Sequence, residues 1–403
     1  MSQSDGADLL PPANLSCPGV YPMVCAIFFA AATGLAAPRL KIGDVKQRLA
    51  RLGVSTAGIV EADELRKLLS QCAPEASSAQ GYAVQLERVR AAEGSMGSGV
   101  TVYDKVYYSI RLELSSSAET VRWVLDSAAS NSLLSPRAAD LLGARDTGVT
   151  ATADTASSTG ASGFRQVDLG IASLAGGLES GPLQPVVMQL PVAGECGLLG
   201  LDFLSRYDVD LRLRSAAPMA IFHDAGSTAA GVVNASGLSE LSCLRLSSGL
   251  LSTAVTLSCG ALSAQRPDLV RKMRVLNDGY GAPVPAIVDL GSAVTLINWE
   301  AAAKAGLNAD DPRVRQTEDV IAGPSGAPVR VAEARLTLEL GDGARRENVL
   351  VNIADLPVFA AVGLPGAAAV LGLDSLAPRA EEASGSRVVL AARDAKVWVE
   401  AGA

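Results

Sequence analysis

Two segments of this 403-residue chain repeat one another, and the repeat limits the folds that the chain can adopt. The segments DSAASNSLLSPRAADLLG (126–143) and DLGSAVTLINWEAAAKAG (289–306) align without a gap. In each, an apolar stretch leads into an aspartate, small residues follow, and an Ala-rich helical pattern ends at glycine. A second matching pair, LLGLDFL (198–204) and VLGLDSL (370–376), follows in the same order. The chain is therefore predicted to contain two similar lobes in tandem.

The segments around the repeat are typical of β-strands. VYYSIRLEL (106–114) and VRVAEARLTLEL (329–340) alternate between apolar and polar residues, and VRWVLD (121–126) is a short apolar strand ending on Asp126. Aspartate is unfavourable in strands and costly to bury without a partner. Its recurrence at the end of an apolar strand in both halves therefore favours a functional carboxylate over the structural alternative, an Asx turn that closes the strand.

The composition excludes several kinds of catalytic site. His223 is the only histidine, so a Ser-His-Asp or Cys-His arrangement would depend on it, and no G-x-S-x-G motif accompanies it. No C-x-x-C pair occurs among the six cysteines at positions 17, 25, 72, 196, 243 and 259. The net charge of −8 argues against a basic surface for nucleic acid. Hydrolytic chemistry in this chain would therefore rest on carboxylates.

The paired motifs resemble those of retropepsin-like and pepsin-like aspartic peptidases, in which D-[ST]-G-[AS] follows a strand. The resemblance covers roughly residues 100–399 and implies a mainly β, bilobal acid-protease-like fold with pseudo-two-fold symmetry. It implies that Asp126 and Asp289 share a proton, so that one carboxylate activates water while the other donates to the peptide carbonyl. The implied protein is a monomeric aspartic endopeptidase with a polypeptide substrate and neither a cofactor nor a metal.

The same resemblance implies roles for three groups of residues around this dyad. One group supports the catalytic loops, one forms the ψ-shaped motif beneath them, and one lies in flap hairpins at 154–163 and 322–328. The loop supports are Ser127, Ala128, Gly291 and Ser292; the ψ-motif residues are Gly200, Asp202, Gly372 and Asp374; the flap residues are Ser158, Gly160, Ser325 and Gly326.

Two positions depart from the family pattern. Ala128 replaces glycine, and its methyl group is strained only if its φ is positive. Leu290 replaces threonine or serine, so it cannot make the hydroxyl hydrogen bond that braces the two catalytic loops; Ser292 or Thr295 are the candidates to replace that bond. Leu290 therefore supports an alternative function, a protease-like peptide-binding protein without efficient turnover, whereas retention of both aspartates favours the enzyme.

The first 99 residues carry no part of the repeat. Residues 1–37 include an apolar segment (20–37) typical of targeting to the secretory pathway or a plastid, although no Lys or Arg precedes it. Pro22 and the short length of this segment argue against a stable membrane span. Residues 74–99 are predicted to be a linker, followed by lobe 1 (100–225) and lobe 2 (226–403).

Residues 38–73 have the pattern of two short helices that meet at Gly53 and resemble a SAP-like helix-turn-helix module. A plain helical hairpin packed on its neighbour is the alternative. Residues 40–72 of the module include six basic residues, which would suit a nucleic-acid tether, but the acidic remainder of the chain makes that function the weakest of the three. The six are Lys41, Lys46, Arg48, Arg51, Arg66 and Lys67.

Overall fold

The structure is a computed structural model that describes ten ranges of the chain. The predicted targeting-like segment (1–37) and helix-turn-helix module (38–73) lie outside them. The described part is mainly β, as the sequence predicts. The described ranges are 81–90, 106–155, 158–174, 177–190, 196–213, 217–259, 281–321, 329–341, 343–377 and 386–401.

The first described strand is β1 (Tyr82–Gln85), which belongs to a different sheet. The ten strands that follow it along the chain form the sheet of the first lobe. Alternation places Ile110 and Leu112 in the core and leaves Arg111 exposed. The strand order is β6-β7-β10-β5-β11-β4-β3-β8-β9, with β2 beside β3. The strands are β2 (Glu87–Arg90), β3 (Val106–Leu114), β4 (Arg122–Leu125), β5 (Leu133–Leu134), β6 (Arg145–Thr155), β7 (Ser158–Asp168), β8 (Ile171–Leu174), β9 (Leu178–Pro182), β10 (Val186–Val187) and β11 (Cys196–Leu199).

The second lobe repeats this plan on an eight-stranded sheet, in the order β15-β16-β17-β22-β18-β21-β20-β19. The largest apolar cluster of the described residues includes side chains from both lobes. The strands are β15 (Leu244–Arg245), β16 (Leu251–Ser258), β17 (Val284–Val288), β18 (Leu296–Ile297), β19 (Arg315–Ile321), β20 (Val329–Leu340), β21 (Ala344–Ile353) and β22 (Ala369–Leu371).

Short helices occupy matching places in the two lobes. The side chain of Ser135 accepts a hydrogen bond from the backbone N of Ala138 and caps the first helix, and Asn298 caps the equivalent helix through the N of Ala301. These caps explain why each Ala-rich pattern begins directly after the apolar pair of the repeat. The helices are α1 (Pro136–Leu141), α2 (Leu201–Leu204), α3 (Trp299–Lys304), α4 (Pro357–Ala361) and α5 (Leu373–Leu376), with a 3₁₀ turn at Ala392–Asp394.

A six-stranded antiparallel sheet joins the lobes, and both lobes contribute to it. Its central strands β12 and β23 come from the two lobes and pair from Asp208↔Ala391 to Arg212↔Arg387. The order is β1-β13-β12-β23-β24-β14, where the remaining strands are β12 (Tyr207–Arg212), β13 (Met219–Asp224), β14 (Leu238–Ser242), β23 (Arg387–Ala391) and β24 (Lys396–Glu400).

The predicted linker at 74–99 contains two strands, β1 and β2. β1 pairs with β13, and β2 pairs with β3 of the first lobe. Val84, Leu86 and Val89 are buried. The segments on either side of these strands are rich in Ser, Ala and Gly, which is typical of linkers. The intervening YAVQLERVR alternates as a strand does, so the predicted linker was too wide. The predicted boundary at 225/226 falls between β13 and β14.

A buried ion pair links the lobes within this sheet. Arg387 of β23 holds the carboxylate of Asp210 on β12 with two hydrogen bonds, Nε–Oδ1 at 2.7 Å and Nη2–Oδ2 at 3.0 Å. Asp210 is almost fully buried, and the more exposed Arg212 reaches its Oδ2 at 3.1 Å. A two-bonded arginine–carboxylate pair fixes both distance and orientation, so this contact sets the register of the two lobes.

We expect Arg387→Met to lower the free energy of unfolding by on the order of 3 kcal/mol, because it leaves Asp210 buried with only Arg212 as a charged partner. Urea unfolding of the full chain measures this loss. Arg313→Met is the matched control, because the Arg313–Asp311 pair is local and solvent-exposed, and we expect it to change stability little. Equal effects of the two substitutions would contradict a linking role for Arg387.

Candidate active site

Asp126 and Asp289 occupy equivalent positions at the ends of β4 and β17. In each lobe the strand that enters the aspartate runs parallel to a later strand, β11 in lobe 1 and β22 in lobe 2. The backbone N of Asp126 donates to the O of Leu199, and that of Asp289 donates to the O of Leu371, both at 3.0 Å. The repeat in the sequence thus corresponds to one structural unit, used twice, that fixes the carboxylate at a strand end.

Each carboxyl group is held through one oxygen. Oδ1 of Asp126 accepts a hydrogen bond from the N of Ala128 at 2.9 Å, and Oδ1 of Asp289 accepts one from the N of Gly291 at 2.8 Å. Both side chains are fully buried. No donor among the described residues reaches Oδ2 of either group. One oxygen of each carboxyl is therefore fixed, whereas the other is left for a proton, a water molecule or a substrate atom.

The loops that follow Asp126 and Asp289, which are the predicted catalytic loops, approach one another closely. A Cβ atom added to Gly291 would lie 2.6 Å from Cγ of Asp126, so a residue of lobe 2 packs directly against the carboxyl group of lobe 1. The two carboxyl groups interact, because the charge of Asp126 raises the pKa of Asp289. Ionisation of both groups at once is therefore unfavourable.

The environment favours protonation of this pair. Burial raises the pKa of Asp126 to about 7, although the N–H groups of Ala128 and Ala129 oppose the shift. Burial also raises the pKa of Asp289 well above its usual range, and the neighbouring Asp126 charge adds to this effect. Two interacting carboxyls titrate as a pair, and the pair retains a proton at a pH where ordinary aspartates are ionised.

Ser127 braces the two loops from one side. Its Oγ donates to the O of Val288 at 2.8 Å and accepts from the N of Leu290 at 3.0 Å, so it holds the backbone on both sides of Asp289. The Leu290 side chain is buried in the main apolar cluster and cannot return these bonds. The brace therefore depends on a single hydroxyl group.

Neither candidate to replace the missing Leu290 hydroxyl bridges the loops. Oγ of Ser292 donates to the O of Val294 at 2.7 Å, and Oγ1 of Thr295 donates to Oδ1 of Asp374 at 2.7 Å. All of these contacts lie within lobe 2. Both hydroxyl groups form hydrogen bonds within their own lobe, so the prediction that Ser292 or Thr295 replaces the missing bond between the loops was wrong.

Ala128 fits its position without backbone strain. Among the described residues, the non-glycine residues with positive φ are Asn348 and Ala395, so Ala128 lies outside the left-handed region. Its side chain is fully buried within the main apolar cluster. The alanine in place of the family glycine therefore does not distort the first catalytic loop.

The two glycines of the ψ-motifs lie directly beneath the catalytic loops. A Cβ on Gly200 would come within 2.5 Å of the backbone C of Asn131, and one on Gly372 within 2.4 Å of the O of Val294. The N of the residue after each glycine also bonds to the catalytic loop, from Leu201 to Ala129 O and from Leu373 to Ser292 O. Glycine is thus required at both positions by close approach of the backbone.

The buried aspartates of these motifs each hold a hydroxyl group; that of Ser132 was not predicted, and that of Thr295 was predicted in a different role. Asp202 accepts from Oγ of Ser132 at 2.7 Å, as Asp374 does from Thr295. Burial raises the pKa of Asp202, and that of Asp374 to about 6. Ser132 and Thr295 both occupy the sixth position after the catalytic-loop aspartate of their lobe. The matched hydroxyls in the repeat were the signal that could have identified them.

The hairpin at the predicted lobe 1 flap is formed by β6 and β7. Ser158 and Gly160 lie at the start of β7, and the hairpin contacts α4 of lobe 2. Ser325 and Gly326 lie outside the described residues, between the paired strands β19 and β20. In lobe 1 the hairpin therefore reaches from one lobe to the other.

None of the helices in the described ranges combines the length and the apolar content that crossing a lipid bilayer requires.

Comparison with known proteins finds a family match within the second lobe and a similar solved structure. Residues 274–375, which contain Asp289 and the second ψ-motif, match the family model described as aspartyl protease. Among solved structures, the chain is similar to the aspartic proteinase from Irpex lacteus, with 12% sequence identity and a TM-score of 0.44 over 80% of this chain and 97% of that chain. No curated protein matches the chain. The family match confirms, for residues 274–375, the resemblance of this chain to the aspartic peptidases.

Proposed function

We propose that this chain is an aspartic endopeptidase in which Asp126 and Asp289 form the catalytic dyad. The observation that carries the proposal is the pair of buried carboxyl groups, each fixed through Oδ1 and each without a donor on Oδ2 among the described residues. The match of residues 274–375 to aspartyl proteases supports a protease function independently of this geometry.

In the proposed reaction the dyad begins with one proton. Asp289, whose pKa is raised further by the neighbouring charge, carries this proton and donates it to the carbonyl oxygen of the scissile peptide. Asp126 is ionised and removes a proton from a water molecule, which attacks the carbonyl carbon to give a gem-diol. The proton held by Asp126 then passes to the amide nitrogen as the C–N bond breaks, and Asp289 takes a proton back from a diol hydroxyl, so that the dyad again holds one proton. The hydrogen bonds from Ala128 and Gly291 keep the two Oδ1 atoms fixed while protons move on the other side.

The proposed substrate is a polypeptide, and a monomer is sufficient because both aspartates belong to one chain. The mechanism requires neither a metal nor a cofactor, and the proposal includes no nucleic-acid partner. Digestion of a peptide library by the full chain, across acidic to mildly basic pH, tests the proposal. We expect cleavage that a statine-like transition-state mimic blocks and that chelators and serine- or cysteine-directed reagents leave unchanged. Cleavage with the opposite inhibitor pattern would overturn it.

The raised pKa values predict that activity shifts toward neutral pH. The general base must be ionised, so hydrolysis is expected to fall as the pH drops below about 7, the pKa of Asp126. The general acid must be protonated, so activity is also expected to be lost as the pH rises through the pKa of Asp289, which burial and the neighbouring Asp126 charge raise well above its ordinary value. Measurement of kcat/KM from pH 3 to pH 9 checks this, and a maximum near pH 4 would contradict it.

A second function, peptide binding without efficient turnover, is favoured by Leu290. If the missing hydroxyl limits the enzyme, Leu290→Thr is expected to raise kcat more than it lowers KM, because a better fixed dyad stabilises the transition state more than the bound substrate. One restored hydrogen bond of about 1 kcal/mol corresponds to a several-fold gain in rate. Steady-state kinetics on a cleaved library peptide measure this gain.

Leu290→Val is the matched control, because it shortens the side chain without supplying a hydroxyl group. A wild-type chain that shows no turnover, but becomes active on Leu290→Thr and not on Leu290→Val, would be a peptide-binding protein built on a disabled protease. A wild-type chain that is active and gains nothing from threonine would show that the Ser127 brace is sufficient.

A further inference from the structure

The loop between β13 and β14 carries a short sequence that the proposed protease mechanism does not use. Asn234-Ala235-Ser236 fits the pattern N-x-[ST], in which x is not proline, that marks an acceptor for N-linked glycans. Of the eight asparagines in the chain, only Asn14 begins another such sequence, and it lies outside the described residues. Asn234 is therefore the acceptor whose surroundings the structure describes.

Asn234 is held in place while its amide nitrogen stays accessible. Its Oδ1 accepts a hydrogen bond from the N of Ser236 at 2.9 Å, which closes an Asx turn, and its backbone O accepts one from Nη1 of Arg387 at 2.8 Å. Both Asn234 and Ser236 are exposed. Within the part of the chain that the structure describes, Nδ2 of Asn234 and Oγ of Ser236 have no hydrogen-bond partner. The amide nitrogen and the hydroxyl group that the pattern requires are therefore both free.

A loop of the second lobe provides a comparison within the same chain. Oδ1 of Asn308 accepts a hydrogen bond from the N of Asp310 at 3.0 Å, so Asn308-Ala309-Asp310 forms the same kind of exposed turn. This sequence has an aspartate where the pattern requires a serine or threonine hydroxyl group. An exposed Asx turn is thus a common local structure, and it is the added hydroxyl group of Ser236 that distinguishes the turn at Asn234.

We propose that this chain enters the secretory pathway and that Asn234 carries an N-linked glycan there. The donor is an oligosaccharide attached to a lipid pyrophosphate. In the transfer, Nδ2 of Asn234 forms a bond to the anomeric carbon of the sugar, and the bond from that carbon to the pyrophosphate oxygen breaks. The lipid pyrophosphate leaves with the electron pair, and the proton lost from Nδ2 passes to a base of the transferase.

Two features support this proposal beyond the pattern itself. A glycan is bulky and polar, so an asparagine that becomes buried on folding cannot carry one without a large desolvation cost, whereas Asn234 remains exposed in the folded chain. The apolar segment at 20–37 is typical of targeting and, within this proposal, directs the chain to the compartment where the transfer takes place. Neither feature depends on protease activity.

Expression of the full chain, with its own N-terminal segment, in eukaryotic cells tests the proposal. We expect peptide N-glycosidase to increase the electrophoretic mobility of the protein and, in H₂¹⁸O, to convert Asn234 to an ¹⁸O-labelled aspartate that tandem mass spectrometry locates. An unlabelled Asn234 would overturn the proposal. Labelling only after a foreign signal sequence replaces residues 1–37 would also overturn it, because this chain would then not enter the pathway by itself.

Substitutions in the two turns test the role of the hydroxyl group. Ser236→Ala keeps the backbone N–H that closes the turn but is expected to abolish labelling of Asn234, and Ser236→Thr is expected to retain it. Asp310→Ser supplies the missing hydroxyl group in the second turn and is expected to add a glycan at Asn308. Asp310→Asn is the matched control, since it removes the same charge without adding a hydroxyl group. Labelling of Asn234 that survives Ser236→Ala, or an unmodified Asn308 in Asp310→Ser, would contradict the role assigned to the exposed turn and its hydroxyl group.

Discussion

Asp126→Asn and Asp289→Asn are each expected to reduce peptide hydrolysis by at least about a thousandfold while the fold is retained, because each removes one of the two proton-transfer groups. The amide is close to the carboxyl group in size, and the N–H bonds to Oδ1 from Ala128 and Gly291 can still form with an amide oxygen. Single-turnover cleavage of a library peptide measures the loss. Activity that survives either substitution would show that another group carries out the chemistry.

The same substitutions also test the burial of the dyad without any substrate. The pKa of Asp126 is raised from its ordinary value to about 7 by burial, so its contribution to stability is present below the unfolded-state pKa and is lost as the pH rises through 7. Asparagine does not ionise. Asp126→Asn is therefore expected to be more stable relative to wild type at pH 8 than at pH 4, as measured by thermal unfolding. A difference in stability that does not change with pH would contradict the raised pKa.

The repeat predicted much of the site because it is a local pattern. An apolar strand that ends on aspartate, followed by small residues, an apolar pair and a helix, requires contacts between residues close in sequence. The second matched pair, L-G-L-D, comes at the end of the later strand that pairs with the first, β11 in lobe 1 and β22 in lobe 2. Asp126, Asp289, Gly200 and Gly372 were located in this way, and in the structure all four lie on or directly beneath the two catalytic loops.

The features that no local sequence pattern predicts depend on contacts between residues far apart in the chain. The bonds of Ser127 to Val288 and Leu290 join residues more than 160 positions apart, so no local pattern shows them, and Ser127 was assigned as a loop support only through the resemblance to aspartic peptidases. The placement of β1 next to β13 has the same cause, since its partner lies far along the chain. Ser292 was a reasonable candidate by proximity to Asp289, but its hydroxyl is closer to its own backbone.

Gly291→Ala is the second substitution for which we expect a large loss of activity. The added Cβ would lie 2.6 Å from Cγ of Asp126 and 2.9 Å from its Cβ and Oδ1, and none of these is the free end of a flexible side chain. The hydrogen bond from Ala128 also holds Oδ1 in place. The carboxyl group must therefore move, and a displacement of about 1 Å in a catalytic group costs on the order of a hundredfold in rate. The loss should appear mainly in kcat, because the binding cleft itself is unchanged.

Two alanine–glycine exchanges separate this effect from general damage to lobe 2. Gly366→Ala places a Cβ in the same lobe at an ordinary distance of 3.4 Å from its nearest neighbour, Oε1 of Glu300, so activity and stability should remain close to wild type. Ala128→Gly removes the methyl group from the equivalent position of the first loop and is expected to cost about 1 kcal/mol of stability through backbone entropy, with a much smaller loss of kcat than in Gly291→Ala. If Gly291→Ala keeps the wild-type kcat, the second loop cannot lie against Asp126, and the two aspartates cannot share a proton in the way the proposed mechanism requires.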